Sequence, residues 1–299
     1  MNVPKKKFSL GVYFFLEEKL DCPKRREEMR RVQLLLPKEG INTKIVICSG
    51  DHTDLDVPDI EENIILYLAD SNALFQNLVK NGKPAVGYLH PGNQGETFTH
   101  ARYLVEEPQW VDVDSYEKMA QRLSGLPWTI ATTNRLLIRE LVKEDLDSLY
   151  ELYEDAEAQR FLTPLSSDRK KEEEILCAYI DRIYSLYGYG MWAVCEKDSG
   201  KLIGKAGFQP GTAESRIPEY GCLILAEKRK QGISLEAGEK ILQFADEKLG
   251  FPITCAMADI ENEASIRMLQ HLGFHETGNE NKKETNRKYF IRMRKGKTV

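Results

Sequence analysis

The sequence predicts an α/β protein with two domains, a parallel α/β domain followed by a mixed-sheet α+β domain. Its 299 residues are about twice the length of a typical single domain. The composition, 41% hydrophobic and 30% charged, is that of a globular protein. The order of predicted elements also changes near residue 128, because strands and helices alternate before it, whereas two helices and then a run of strands follow it.

The first predicted domain, residues 1–128, contains a strand–helix–strand unit. Apolar strands at 63–70 (NIILYLAD) and 83–93 (KPAVGYLHPGN) flank a helix at 71–82, SNALFQNLVKNG, which ends in a glycine. Such a unit within about thirty residues implies parallel strands. With a further strand at 44–48, KIVIC, this pattern predicts a Rossmann-like parallel sheet.

The domain boundary is predicted where GLPW interrupts the pattern after a closing amphipathic helix at 115–123. The second domain then covers residues 129–299. Its predicted order is β-α-α-β-β-β-α-β-α-β-β, and the helix after the fourth strand has apolar residues on one face, namely Ile233, Ala237, Ile241, Ala245 and Leu249. Its predicted strands include RLLIREL, MWAVCE, KLIGKAGFQP, EYGCLILA, PITCAMADI and RKYFIRMR.

Composition and termini indicate a cytoplasmic protein. The apolar stretch near the start is broken by Ser9 and Gly11 and followed by charges rather than a cleavage site, so we expect a basic start that is free to fray. No run approaches the about 18 apolar residues of a membrane span. Six scattered cysteines without a CxxC pair indicate reduced thiols and no metal site, and a net charge of −5 argues against nucleic-acid binding.

One turn in the second domain is predicted to bind an anion. EKRKQGIS, residues 227–234, places basic residues at the positive end of a helix, where cations are disfavoured. Gly232 permits close backbone approach, and Arg229 can add a charge-assisted contact to an anion held by the helix N-terminus. GxxxxGK[ST] and GxGxxG are absent, so R-x-x-G-x-S at 229–234 suggests a diphosphate. An ordinary helix start with solvated cations is the alternative.

A second motif, NEASIRMLQHLGF at 262–274, follows a neighbouring strand, so both motifs lie where open α/β sheets bind ligands. Together with TNRLLIREL, LIGKAGF and EYGCLIL, they make residues 133–294 resemble the GNAT superfamily of N-acetyltransferases. The branch that is most similar contains the Rim-type ribosomal-protein N-acetyltransferases.

This resemblance implies that acetyl-coenzyme A (acetyl-CoA) is the acetyl donor. Its pyrophosphate would lie on the backbone amides of Arg229–Ser234, its pantetheine would run along Leu223–Leu225, and Asn262 would touch the coenzyme. The implied binding residues are Leu223, Ile224, Leu225, Arg229, Lys230, Gln231, Gly232, Ile233, Ser234, Asn262 and Ser265. In the family the two parallel strands splay apart, and the tyrosine that many members use as general acid is Leu269 here.

For the reaction, the resemblance implies direct attack of a primary amine on acetyl-CoA in a ternary complex. Glu219 is the candidate base, the alternative being an edge-strand carboxylate paired with a cation. Tyr187, Tyr189 and Trp192 are candidates for the acceptor pocket, the alternative being core packing. The acceptor is a protein N-terminus or a small-molecule amine, with neither nucleic acid nor membrane as partner, and a homodimer is one option for assembly.

Two other functions stay open. The missing tyrosine and the additional first domain suggest an acyl-CoA sensor. The first domain resembles a degenerate haloacid-dehalogenase-like half-domain, but Asp51, Asp54 and Asp56 do not fit the register of that family's DxDx[TV] motif. We therefore expect a non-catalytic domain that serves regulation, dimerisation or acceptor recognition. A phosphatase that depends on Asp70 is the third hypothesis.

Overall fold

The computed structural model describes residues 9–50, 63–211, 215–277 and 286–294. The chain divides into two compact units between Trp128 and Thr129. Asp51, Asp54 and Asp56 lie outside the described residues. Within the described part of the chain, none of the helices has both the length and the apolar character that crossing a membrane requires.

The first unit is built on a parallel sheet of five strands in the order β2-β1-β3-β4-β5. Its strands are β1 Ser9–Glu17, β2 Asn42–Cys48, β3 Asn63–Ala69, β4 Ala85–Tyr88 and β5 Leu104–Val105. Its helices are α1 Pro23–Leu35, α2 Asn72–Lys80 and α3 Val113–Leu123. The predicted parallel α/β class is confirmed.

The basic start that was expected to fray lies outside the described residues, which begin with strand β1. β1 lies in the interior of the sheet, between β2 and β3, and every residue after Ser9 is buried. A parallel strand covered on both faces needs a continuous apolar run, which also looks like the apolar region of a signal peptide.

Two apolar cores cover the faces of this sheet. Tyr116 and Ala120 of α3 and Met29 and Val32 of α1 pack on one core. On the other, α2 contributes Leu74, Phe75 and Leu78. The first unit therefore has three layers, helix–sheet–helix, which leaves the ends of the strands as its accessible polar edges.

The second unit has a sheet of eight strands in the order β12-β13-β11-β10-β9-β8-β7-β6. Only β10 and β11 are parallel among its described pairs, so the predicted mixed sheet is confirmed. The strands are β6 Thr129–Thr132, β7 Leu136–Arg139, β8 Met191–Glu196, β9 Leu202–Gln209, β10 Glu219–Ile224, β11 Ile253–Asp259, β12 His275–Thr277 and β13 Arg287–Met293. The helices are α4 Leu146–Tyr153, α5 Ala156–Gln159, α6 Arg169–Tyr187, α7 Ile233–Phe244 and α8 Glu263–His271.

Helix α7 packs on one face of this sheet. It buries residues at the predicted spacing, including Ile233, Ala237 and Ile241. On β10, side chains alternate between the two faces, so Tyr220 lies against α7, where its hydroxyl is close to Gly238. Glu219 and the other odd-numbered residues of β10 therefore point to the opposite face.

Candidate functional site

Strands β10 and β11 separate halfway along their length. They pair at Glu219–Cys255 and Tyr220–Ala256, although β10 continues to Ile224 and β11 to Asp259. β10 remains paired with β9 through Ile224, and β11 with β13 through Asp259. The divergence therefore opens a V-shaped gap inside the sheet.

The inner edge of β10 in this gap is formed by Cys222 and Ile224. Leu225 N–H donates to the Ile203 carbonyl on β9 at 3.0 Å, and hydrogen-bonding groups alternate along a strand. The backbone groups of Leu223 and Leu225 therefore face β9, whereas those of Cys222 and Ile224 face the gap. The Ile224 carbonyl accepts a hydrogen bond from Arg229 Nε at 3.1 Å, which is consistent with a carbonyl that points away from β9. Sequence reasoning did not include Cys222.

The turn before α7 presents free amides. Glu236 N–H is the donor of the first helical bond, to the Gly232 carbonyl at 3.0 Å. In an α-helix the preceding amides, those of Ile233, Ser234 and Leu235, have no intrahelical acceptor. Gly232 has a φ of 76° and Lys230 a φ of 60°, which bends the chain sharply into the helix. Such a turn at the positive end of a helix suits an anion.

Arg229 serves the turn structurally. Its Nη2 forms an ion pair with Asp155, its Nε binds the Ile224 carbonyl, and its own N–H donates to the Ala226 carbonyl at 3.2 Å. The predicted contact of its guanidinium with an anion would compete with the Asp155 ion pair. The structure thus favours the backbone amides after Arg229 as the anion-binding groups.

Arg135, which sequence reasoning missed, supports the turn from β7. Its Nη1 donates to the Gln231 carbonyl at 3.1 Å, and its Nε donates to Glu236 Oε2 at 2.8 Å. Burial acts to raise the pKa of Glu236, but hydrogen bonds from Thr133 and Arg135 outweigh it and lower that pKa. No local pattern could have identified Arg135, because its partners lie about a hundred residues further along the chain.

Asn262 caps helix α8 beside the other side of the gap. Its Oδ1 accepts a hydrogen bond from Ser265 N–H at 3.0 Å, so the two predicted residues are joined in one capping motif. Asp259 supports the same turn, since its Oδ1 accepts from Glu261 N–H at 2.9 Å. The cap uses the oxygen of Asn262 and leaves its amide hydrogens to other acceptors.

Glu219 stands where β10 and β11 still pair. Its carboxyl is half-buried, and burial raises its pKa, an effect that the charge of Arg287 only partly offsets. Burial, and then the nearby charge of Glu219, raise the pKa of the Cys255 thiol to about 11. A carboxylate with a raised pKa is a stronger base than an ordinary surface glutamate, and it lies at the narrow end of the gap.

The three predicted pocket aromatics occupy different places. Tyr187 is exposed and packs beside Tyr189, with ring centroids 5.7 Å apart. Trp192 is fully buried and packs on Phe244 of α7, because strand alternation turns its side chain to that face. Its burial supports the core-packing alternative, and we exclude Trp192 from the candidate acceptor site.

Leu269 of α8 is buried, with 2% of its surface exposed. It therefore packs in the core and offers no group that can donate a proton. Among the residues that the structure describes, no cluster of three or more His, Cys, Asp or Glu side chains has the arrangement of a metal site.

Residues 135–275 match the family model described as "Acetyltransferase (GNAT) domain". The "Uncharacterized N-acetyltransferase YoaA" of Bacillus subtilis is 24% identical over 149 residues, which are 50% of this chain and 84% of the relative. The "Uncharacterized N-acetyltransferase p20" of Bacillus licheniformis is 26% identical over 149 residues, 49% of this chain and 82% of the relative.

Among solved structures, a spermidine N-acetyltransferase from Vibrio cholerae in complex with CoA and spermine is 19% identical. The match covers 54% of this chain and 97% of that chain, with a TM-score of 0.46.

The second unit thus contains an acyltransferase domain. More narrowly, residues 135–275 match a GNAT acetyltransferase domain, and the GNAT fold uses acetyl-CoA.

Proposed function

We propose that the second unit transfers the acetyl group of acetyl-CoA to a primary amine by direct attack within a ternary complex. The observation that carries this proposal is the gap between β10 and β11 together with the free amides at the start of α7. The gap offers unpaired strand edges to an extended chain with amide groups, as pantetheine is, and the turn offers N–H donors to a pyrophosphate.

The site residues would divide the chemistry among them. The amides of Ile233, Ser234 and Leu235 would hold the pyrophosphate, and the Cys222 and Ile224 amides would bind along the pantetheine. Glu219 would take the proton of the acceptor ammonium, directly or through water. No residue is assigned as general acid, since Leu269 is apolar and coenzyme A is a tolerable thiolate leaving group.

The acceptor class within this proposal is a primary amine, on a protein N-terminus or a small molecule. Membership of the Rim-type branch would favour the protein N-terminus. Tyr187 and Tyr189 are the aromatic candidates for contact with the acceptor, because they lie together and Tyr187 is exposed. A panel of peptides, polyamines, aminoglycosides and amino acids distinguishes these acceptors by release of the coenzyme A thiol.

Titration calorimetry with acetyl-CoA and the Gly232→Glu variant tests the proposal. The added carboxylate would meet the anion, and the φ of 76° disfavours any side chain, so saturable binding should be lost. Gly200→Glu is the matched control, because Gly200 has a φ of 72° in the turn between β8 and β9. Undiminished binding by the Gly232→Glu variant would refute the proposal.

A sensor of acyl-CoA remains the second candidate, and the buried Leu269 favours it. Both functions require binding of acetyl-CoA, so binding cannot separate them. Thiol release with any amine of the panel would reject the sensor. Tight binding without thiol release across the whole panel would reject the transferase.

A further inference from the structure

The first unit gathers polar residues at the carboxyl ends of its strands. In the order β2-β1-β3-β4-β5, the chain leaves β1 toward β2 on one side and later returns to β3 on the other. Parallel α/β sheets bind ligands at such a switch point. Here β1 is followed by Cys22, β3 by Asp70, and β4 by His90.

These three side chains form a continuous line. Cys22 Sγ lies 3.6 Å from His90 Nδ1, and His90 Nε2 lies 3.2 Å from Asp70 Oδ2. The side chains of His90 and Asp70 are fully buried, whereas Cys22 is partly exposed. A nucleophile, a base and a group that orients the base, each within hydrogen-bonding reach of the next, is the arrangement of covalent acyl-transfer sites.

The hydrogen bonds around His90 set its tautomer. Gly92 N–H donates to His90 Nδ1 at 3.1 Å, so this nitrogen is an acceptor and carries a lone pair. The ring hydrogen is then on Nε2 and points to Asp70. Asp70 is itself fixed, because Arg25 Nη1 donates to its Oδ2 at 2.6 Å and Glu17 N–H donates to its Oδ1 at 2.8 Å. The lone pair of Nδ1 therefore lies within reach of both Gly92 N–H and the Cys22 thiol, and proton transfer from Cys22 to this nitrogen requires the hydrogen bond from Gly92 to break.

Cys22 also lies at the start of a helix. Cys22 is the N-cap residue of α1, a helix of 13 residues, and its Sγ accepts a hydrogen bond from Arg25 N–H at 3.4 Å. The partial positive charge of a helix N-terminus faces a side chain at this position. Helix capping alone would explain this contact with Arg25 N–H, but it does not require a buried histidine and aspartate behind the thiol.

The buried charges argue against a purely structural role. Arg25 and Asp70 form an ion pair in which both side chains are at most 3% exposed, and Glu17 is 2% exposed beside them. Buried ion pairs are seldom more stabilising than apolar packing of similar volume. Here the pair with Arg25 holds the Asp70 carboxylate in place behind His90.

We infer that Cys22 is a nucleophilic thiol, activated by His90, that accepts an acyl group from a thioester. The bond between Cys22 Sγ and the acyl carbon forms, and the bond between that carbon and the donor sulfur breaks. The proton of the Cys22 thiol passes to His90 Nδ1, whose hydrogen bond from Gly92 N–H breaks at this step, and then to the departing thiolate. Nothing is oxidised or reduced, and exchange between two thioesters is close to thermoneutral. The inference does not depend on the reaction proposed for the second unit.

The test uses S-phenyl thioacetate as the acyl donor and the full-length protein. Peptide mass spectrometry follows acetylation of Cys22 and of Cys177, which is likewise half-buried and serves as the internal reference. We expect Cys22 to react roughly 100-fold faster than Cys177, the usual size of general-base assistance. Neutral hydroxylamine should remove the acetyl group, as it does from a thioester.

Two variants test whether His90 and Cys22 are responsible for the fast acetylation. His90→Gln should reduce the rate at Cys22 to that of Cys177, and Cys22→Ser should abolish acetylation at this position. The Gly232→Glu protein should retain full reactivity of Cys22, which separates this site from acetyl-CoA binding by the second unit. Equal rates at Cys22 and Cys177 in the unmodified protein would overturn the inference, whether or not the His90→Gln variant folds.

Discussion

Tyr220 on β10 and Ala256 on β11 form the last pair between two parallel strands that both continue beyond it. Each strand remains hydrogen-bonded to its outer neighbour, so the gap is held open from both sides of the sheet. A gap with two intact walls is prepared for an extended ligand before that ligand arrives. The proposed binding of acetyl-CoA therefore requires little rearrangement of the sheet.

Arg135→Met should weaken acetyl-CoA binding. The variant loses the hydrogen bonds to the Gln231 carbonyl and to Glu236, which hold the turn against β7. Because Arg135 is half exposed, we expect a loss of about 0.5–1 kcal/mol, or about a two- to fivefold increase in the Kd measured by calorimetry. Arg169→Met removes an exposed ion pair with Asp147 elsewhere in the same unit and is the control. Equal Kd values for both variants would show that Arg135 does not support the turn that binds acetyl-CoA.

Glu219→Gln should slow acetyl transfer by about 100-fold while leaving the affinity for acetyl-CoA unchanged, because a general base acts on the acceptor. Activity in the unmodified protein should rise with pH as the carboxyl loses its proton, with a midpoint above the ordinary value of 4.5. Glu276→Gln, at an exposed ion pair with Lys288, serves as the control. An unchanged rate and pH profile in the Glu219→Gln variant would assign the base elsewhere.

The pH dependence of stability gives a second measure of the raised pKa of Glu219. Its pKa is raised in the folded state, so between 4.5 and that higher value the folded protein binds more protons than the unfolded chain. The contribution of Glu219 to the free energy of unfolding should therefore decrease as the pH rises through this range. At neutral pH the Glu219→Gln variant should unfold at the same or a higher denaturant concentration. A large loss of stability would show that the carboxylate is needed for folding.

Asp70→Asn should strongly destabilise the first unit. The change leaves the buried Arg25 guanidinium without its closest counter-charge, for which a loss of about 3–5 kcal/mol is typical. Asp21→Asn is the matched control, because Asp21 binds the same guanidinium from an exposed position and should cost about 1 kcal/mol or less. Urea unfolding followed by circular dichroism measures both. Similar small losses in the two variants would contradict the proposed importance of the buried pair.

The same contacts bear on the phosphatase hypothesis. Both carboxylate oxygens of Asp70 accept hydrogen bonds within the first unit, and its side chain is fully buried. Such a carboxylate is not available as a nucleophile. We therefore expect no magnesium-dependent hydrolysis of p-nitrophenyl phosphate by the unmodified protein.

The sequence was most informative where local patterns match the final environment. The unit of β3, α2 and β4 and the apolar face of α7 follow periodicity directly. It was least informative for α1, which reads PKRREEMRRVQLL and has few apolar residues. Arg25 and Glu28 are buried in this helix by polar partners that come from distant strands, and no local pattern shows such partners.

Some residues of the candidate site could likewise be predicted from local motifs, and others could not. The Gly232 turn and the Asn262 cap belong to local motifs, and family resemblance indicated both. Two features could not be predicted: the support that Arg135 gives to the turn, and the backbone of Cys222 facing the gap. Both depend on the pairing of segments that are distant in the chain, which local spacing does not determine. Trp192 was predicted to line the acceptor pocket, but it is buried. The sequence could not show this, because it does not reveal which face of the sheet an aromatic residue near the start of a strand will occupy.

A crystal structure with coenzyme A tests the central claim most directly. The account predicts the pyrophosphate within hydrogen-bonding distance of the Ile233, Ser234 and Leu235 amides, and the pantetheine between β10 and β11 beside Cys222. Coenzyme A bound elsewhere, or β10 and β11 closed against each other in that complex, would contradict it.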